Sequence, residues 1–172
     1  MAPERTAQRR NEILEKIRSG LEMDVELSTE IYSSDRPLPK GSRWLRFWLS
    51  LHRLDFPYLT FFSACMIRRF LPSSRCQFVP GFRCLVGNIV CDGASLFETC
   101  FVDYAAIYVG RGTGFSYQNL VITSTHDMED MNTVLAREIV IGENVWITSR
   151  VTILPCVHIG RNSVIDAGSI VS

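Results

Sequence analysis

The sequence predicts an all-β fold, a parallel β-helix wound from six-residue repeats, behind an α-helical N-terminal extension. Three features predict it. Aliphatic residues recur at a strict step of six across 141–171. A second frame of the same period runs through 85–125. The first 75 residues lack that period and show helical spacing and a proline- and glycine-containing break. The expected division is therefore a helical extension over 1–75 and a β-helix over 76–172, with a loop at 126–138.

In the extension, "NEILEKIRSGLEM" at 11–23 places Ile13, Leu14, Ile17 and Leu21 at helical spacing. "RPLPKGS" at 36–42 breaks the chain. Further helices are expected over 43–52, which includes His52, and over 58–70. The aromatic stretch 44–67 is interrupted by Arg46, Arg53 and Asp55 and split by Pro57. A membrane-spanning helix needs roughly 20 predominantly apolar residues, so this stretch is expected to pack on the main domain instead. A place at a membrane surface is the alternative, because Arg46, His52 and Arg53 flank the apolar face. Pro72 and Pro80 bracket the start of the coil.

The coil is read from Ile141, Ile147, Ile153, Ile159, Ile165 and Val171. Four places after each of the first five stand Val145, Val151, Val157, Ser163 and Ser169. Neither the helical period of 3.6 nor the strand period of 2 accounts for this. Short flat strands that turn a corner every six residues do. The large aliphatic fills the prism, and the small or β-branched residue leaves room at the corner. The upstream frame runs Leu85, Cys91, Phe97, Asp103, Val109, Phe115, Val121. Asp103 is its exception: an inward charge is expensive, so it must turn outward or serve a purpose.

Between Thr125 and Ile139 the register slips. "HDMEDMNTVLARE" at 126–138 is mostly polar and reads as a mobile loop thrown from a corner, with His126 at its root. His158 falls at an outward position of its repeat.

Composition narrows the partners. Eighteen basic and eighteen acidic residues give a formal net charge of zero, which offers nucleic acid no electrostatic purchase. The six cysteines form no C-x-x-C pair, and the charged N-terminus lacks an apolar signal core. Reduced thiols in a cytoplasmic protein are expected.

The blocks "IGENVWI" at 141–147, "VHIGRNSVI" at 157–165 and "TSTHD" at 123–127 resemble the hexapeptide-repeat O-acetyltransferases. The maltose, galactoside and nodulation-type sugar acetyltransferases are the nearest group. The resemblance covers 85–172. It implies a left-handed parallel β-helix, a homotrimer with active sites between subunits, and transfer of acetyl from acetyl-CoA to the hydroxyl of a small, sugar-like acceptor. It implies His126 as the catalytic base, with Trp146, Ser149, Ala167 and Ser172 at the acetyl-donor site and Asp103 at the acceptor. No metal is implied. It also implies further chain after Ser172, so a C-terminally short protein is expected, with a fraying last coil and weak donor binding. Cys156 stands where the family carries a turn glycine.

The chemistry suits these residue types. A thioester is already electrophilic, whereas an alcohol needs a base, and histidine exchanges its proton near neutral pH. A backbone N–H must then stabilise the oxyanion. Two alternatives stand beside this reading. One is an impaired or non-catalytic repeat protein. The other is a γ-carbonic-anhydrase-like metalloenzyme, which needs three converging histidines that His52, His126 and His158 do not provide.

Overall fold

The computed structural model describes residues 8–9, 11–13, 15–16, 19, 27–71 and 76–172. Three parallel sheets are visited in rotation, so the chain winds as a three-faced coil. The first face carries Gln77, Ser95, β6 (Gly114–Phe115), β11 (Trp146–Ile147) and β14 (Val164–Ile165). The second carries β2 (Arg83–Cys84), β4 (Thr99–Val102), β7 (Asn119–Ile122), β12 (Thr152–Ile153) and β15 (Ile170–Val171). The third carries β3 (Ile89–Cys91), β5 (Ile107–Val109), β10 (Ile139–Ile141) and β13 (His158–Ile159).

The C-terminal frame points inward as its spacing predicts. Ile141, Ile147, Ile153 and Ile159 are buried, and Ile165 and Val171 pack against the same core. The corners explain the period. Asn144, Arg150, Cys156, Asn162 and Gly168 all have positive φ, one per six-residue step. A left-handed residue turns the backbone sharply between two short strands. Glycine meets that demand freely at 168, whereas Cys156 adopts φ 67° with a side chain attached.

Upstream, the expected frame is displaced at three positions. The stacked partners are Cys84, Phe101 and Val121, so Leu85 falls outside and is exposed. Leu96 is buried in place of Phe97, which has φ 31°. Phe101 takes the inward place on β4, and Asp103 sits at the corner beyond it. The early corners vary in length, and a fixed step cannot follow them.

The expected mobile loop is an ordered β-hairpin. β8 (Ser124–His126) pairs antiparallel with β9 (Val134–Arg137), and β1 (Thr29–Tyr32) adds a third strand beyond β9. The N-terminal extension is therefore not wholly helical. Gln8, Arg9, residues 11–13, Glu15, Lys16 and Ser19 are helical, whereas Leu14, Ile17 and Leu21 lie outside the described residues, as does Pro72. Ile13 covers the outer side of the third face, packing with Val90, Tyr108 and Val140. The buried Glu138 carboxylate fastens this covering: it accepts from Arg9 Nη2 at 2.8 Å, the Ser28 N–H at 2.9 Å and the Tyr108 hydroxyl at 3.2 Å.

Two helices close the start of the coil, α1 (Arg43–His52) and α2 (Pro57–Arg68), with Pro57 opening the second. Leu45, Leu49, Ile67 and Leu71 join Phe78 and Phe82 in the main core. His52 ends α1 fully buried, its Nδ1 3.0 Å from the Ser63 hydroxyl, and burial lowers its pKa. Among the described residues, no helix is long and apolar enough to cross a membrane. The expectation of six thiols is corrected at one pair: Cys76 and Cys91, both buried, are joined as a disulfide, while Cys65, Cys84, Cys100 and Cys156 are free. These two cysteines lie in neighbouring turns of the core, a proximity that spacing alone does not reveal.

Candidate active site

The hairpin that carries His126 is tied to the coil at its root. The Thr123 hydroxyl donates to the Val102 carbonyl at 2.8 Å and accepts from the Ala105 N–H at 3.1 Å. The Arg137 N–H closes the other leg on the Thr123 carbonyl at 2.7 Å. The tip is held by short polar side chains that cap backbone donors. Asp127 accepts from the Glu129 N–H, and Asp130 accepts from the Asn132 N–H and the Thr133 hydroxyl. Those bonds to Asp130 hold its carboxyl below the usual carboxylate range.

His126 is exposed, and its Nδ1 lies 2.8 Å from the Met131 carbonyl oxygen. A carbonyl can only accept, so Nδ1 carries the proton. The neutral ring then has its lone pair on Nε2, as a general base requires. The orienting partner is thus a backbone carbonyl across the hairpin. The adjacent Asp127 is engaged instead with the tip.

The donor-site candidates stand elsewhere on the prism. Trp146 lies on the first face, 46% exposed, with its ring over Gly114. Ser149 follows at the corner between the first and second faces, its hydroxyl 3.0 Å from that of Ser116. Ala167 occupies the same corner one coil later, and the neighbouring Gly168 N–H donates to the Ser149 carbonyl at 3.0 Å. A side chain added at Gly168 would meet nothing within 4 Å. Ser172 is not brought to this corner: it follows β15 at the other edge of the second face, on the side from which the hairpin leaves, and is exposed. Small residues in line, open space and one aromatic make a narrow shelf along this corner.

The shelf and the histidine do not meet within one chain. The hairpin leaves the corner between the second and third faces, whereas the shelf lies at the corner between the first and second. His158 is exposed on the third face, and His52 is buried under the cap. Among the described residues, no group of three or more His, Cys, Asp or Glu side chains is placed to hold a metal ion.

Asp103 corrects the expectation that it faces an acceptor. It is fully buried, and both oxygens are taken by one turn of backbone. Oδ1 accepts from the N–H groups of Leu85 and Val86 at 2.8 and 3.0 Å, and Oδ2 from those of Gly87 and Asn88, both at 2.6 Å. Burial pushes its pKa up against the pull of those four donors. It is the inward charge that serves a purpose, which is to hold a corner.

A cavity of about 530 Å³ lies beside the hairpin, lined by Tyr32, Ser33, Ser34, Leu38, Asp130, Asn132 and Val134. Tyr32, Val134 and His126 are register partners across β1, β9 and β8. Directly opposed residues project to the same face of a sheet. The cavity therefore opens on the side of the hairpin to which His126 belongs. Sequence reasoning missed residues 32–38 here, because nothing local announces that β1 joins the hairpin.

The shelf has a direct test. A Cβ at Gly114 would come within 2.8 Å of the Trp146 ring. On the sequence expectation that Trp146 lines an acetyl-CoA site, Gly114→Ala should displace that ring and raise the KM for acetyl-CoA several-fold while kcat and Tm change little. Initial rates over a donor series check it, and an unchanged KM would remove Trp146 from the donor site.

Residues 138–172 match the family model described as "Bacterial transferase hexapeptide (six repeats)". A galactoside O-acetyltransferase of Lactococcus lactis subsp. lactis (strain IL1403) is 38% identical over 80 residues, which are 44% of this chain and 39% of that protein. The chain spans between 23% and 59% of the length of the curated relatives it matches. Among solved structures, a maltose O-acetyltransferase from Clostridium difficile 630 superposes with a TM-score of 0.68 at 23% identity, covering 75% of this chain and 74% of that one. A hexapeptide-repeat-containing acetyltransferase from Vibrio cholerae O1 biovar eltor, complexed with acetyl-coenzyme A, superposes with a TM-score of 0.67 at 21% identity, covering 75% and 74%.

Proposed function

We propose that this chain is an O-acetyltransferase that moves an acetyl group from acetyl-CoA to a hydroxyl of a small, sugar-like acceptor. One observation carries the reading: the bond from His126 Nδ1 to the Met131 carbonyl, which makes Nε2 the accepting nitrogen. His126 Nε2 takes the acceptor's hydroxyl proton as the oxygen attacks the thioester carbonyl. The tetrahedral intermediate collapses with loss of the CoA thiolate, which recovers the proton from His126. The products are the acetyl ester and free CoA, with no covalent enzyme intermediate and no metal in the balance.

Trp146, Ser149 and Ala167 form the donor shelf in this reading, and Ser172 stands apart from it, at the far edge of the second face. The acceptor enters the cavity beside the hairpin. Ser33, Ser34, Asp130 and Asn132 offer it hydrogen bonds, and Tyr32 and Leu38 give an apolar wall. Such mixed lining suits a ring bearing several hydroxyls. The coil is left-handed in this reading, which the likeness to the solved acetyltransferases supports.

The separation of histidine and shelf favours a site shared between copies. In a homotrimer, the hairpin corner of one subunit would lie against the shelf corner of the next. On the third face Val90, Tyr108 and Val140 are covered by the N-terminal segment, whereas Trp146, Val164 and Ile170 remain exposed on the other two. Apolar side chains on uncovered faces are what a subunit interface would bury.

Purified protein incubated with acetyl-CoA and a panel of sugars and hydroxylated antibiotics should release thiol only when an acceptor is present. Light scattering on the same sample should return three times the chain mass. Absence of acceptor-dependent thiol release across the panel would defeat the catalytic reading, and a monomer would defeat the shared site.

A further inference from the structure

The α1–α2 cap has two sides, and only one is accounted for by packing. Leu45, Leu49, Ile67 and Leu71 point into the coil. On the opposite side Trp44, Phe47, Phe61 and Phe62 are 65%, 48%, 73% and 53% exposed, the connecting turn adds Phe56 at 64%, and the first turn of α2 adds Tyr58 at 92%. The rings form a continuous strip across both helices: Trp44 to Phe47 at 6.0 Å, Phe47 to Trp48 at 5.1 Å, Trp48 to Phe62 at 5.5 Å. An exposed apolar strip of this extent on a folded protein marks an interaction surface.

The charge around it is one-sided. Arg43, Arg46, Arg53 and Arg69 are exposed, and Asp55 is the single acidic residue between 43 and 71; Arg68 is turned to the coil, its Nε donating to the Cys76 carbonyl at 3.1 Å and its guanidinium lying over the Phe78 ring. The chain as a whole has zero net charge, so this end is basic at the expense of the remainder. A symmetric contact between two copies would set the patch against itself, arginine facing arginine, which opposes association. A negatively charged surface would meet both features at once.

We propose that the outward face of the α1–α2 cap docks on an anionic phospholipid bilayer. The aromatic strip enters the headgroup boundary, where amphipathic and aromatic rings are favoured. The arginines reach phosphate oxygens while their stems lie along the apolar surface. With 10 and 12 residues, the helices are too short to span and lie in the interface plane. The docking depends on the cap alone and is independent of the transfer chemistry above.

The test is vesicle flotation of the intact chain with phosphatidylcholine vesicles and with vesicles that also contain phosphatidylglycerol. Binding to the anionic vesicles should exceed binding to neutral ones by about tenfold at low salt and fall as salt screens the arginines. Trp44 should report the transfer as a blue shift of fluorescence. Phe47→Ser with Phe61→Ser, and separately Arg46→Glu with Arg53→Glu, should each cut binding by about tenfold. These side chains are exposed, so thermal melting should be unchanged. Three results would overturn the proposal. The first is equal, weak binding to both vesicle types. The second is variants that bind like the parent. The third is a parent that ignores vesicles but self-associates until the two phenylalanines are replaced, which would make this face an interface between copies.

Discussion

Replacing His126 with alanine is expected to lower kcat by about 10²–10⁴-fold, the range for removing a positioned general base. The KM for acetyl-CoA should hardly move, because the shelf at Trp146, Ser149 and Ala167 lies on another corner of the coil. His126→Asn separates the base from the strap. The asparagine amide can still donate across the hairpin, toward the Met131 carbonyl that Nδ1 engages at 2.8 Å, but it has no basic nitrogen. If that bond only stiffens the hairpin, His126→Asn should recover activity. If Nε2 is the base, the asparagine variant should be as slow as the alanine one. Steady-state rates by thiol release with saturating acceptor decide this, and wild-type turnover in either variant would remove His126 from the chemistry.

Asp103→Ala should produce a large loss of stability in the coil. The carboxylate accepts four backbone N–H bonds at 2.6–3.0 Å from fully buried ground. Orphaning a buried donor costs about 1–3 kcal/mol, and the four losses are not additive because the turn at 85–88 can open partly to water. A net loss of about 4 kcal/mol is expected, which for a chain of this size lowers Tm by roughly 10 °C. Asp103→Asn should recover only part of it, since its NH2 group must face backbone donors where an oxygen stood. Thermal unfolding measures the loss. An acceptor-binding residue would behave oppositely, keeping Tm while raising the KM for acceptor. That outcome would restore Asp103 to the acceptor site.

Much of the coil was legible because its cause is local and repeated. An inward aliphatic and a tight corner every six residues are demands each repeat makes of its own sequence. Ile141 to Ile159 could thus be placed in the core from spacing alone. The same frame misplaced Leu85 and Phe97, where corners of unequal length break the step. Both cap helices were legible too, expected over 43–52 and 58–70, although Pro57, read as a split in the aromatic stretch, in fact opens the second.

His126 was legible as a residue at a break in the repeat. Its partner was not, because the Met131 carbonyl is a backbone group and carries no signature in the side-chain sequence. Asp103 was legible as an anomaly. Its answer lay in four N–H groups of the preceding coil, and any residue type supplies those.

The sequence by itself determined the period, the inward residues of the last coils, the cap helices and the position of the histidine. Those depend on spacing within a few residues. Only the tertiary structure decided that β1 joins the hairpin, that Cys76 meets Cys91 and that Asp103 holds a corner. It also decided that His126 and the shelf stand on different corners of one chain. Each of these is a meeting of segments distant in sequence, set by how coils stack and where the N-terminal segment returns, and no local pattern encodes such a meeting.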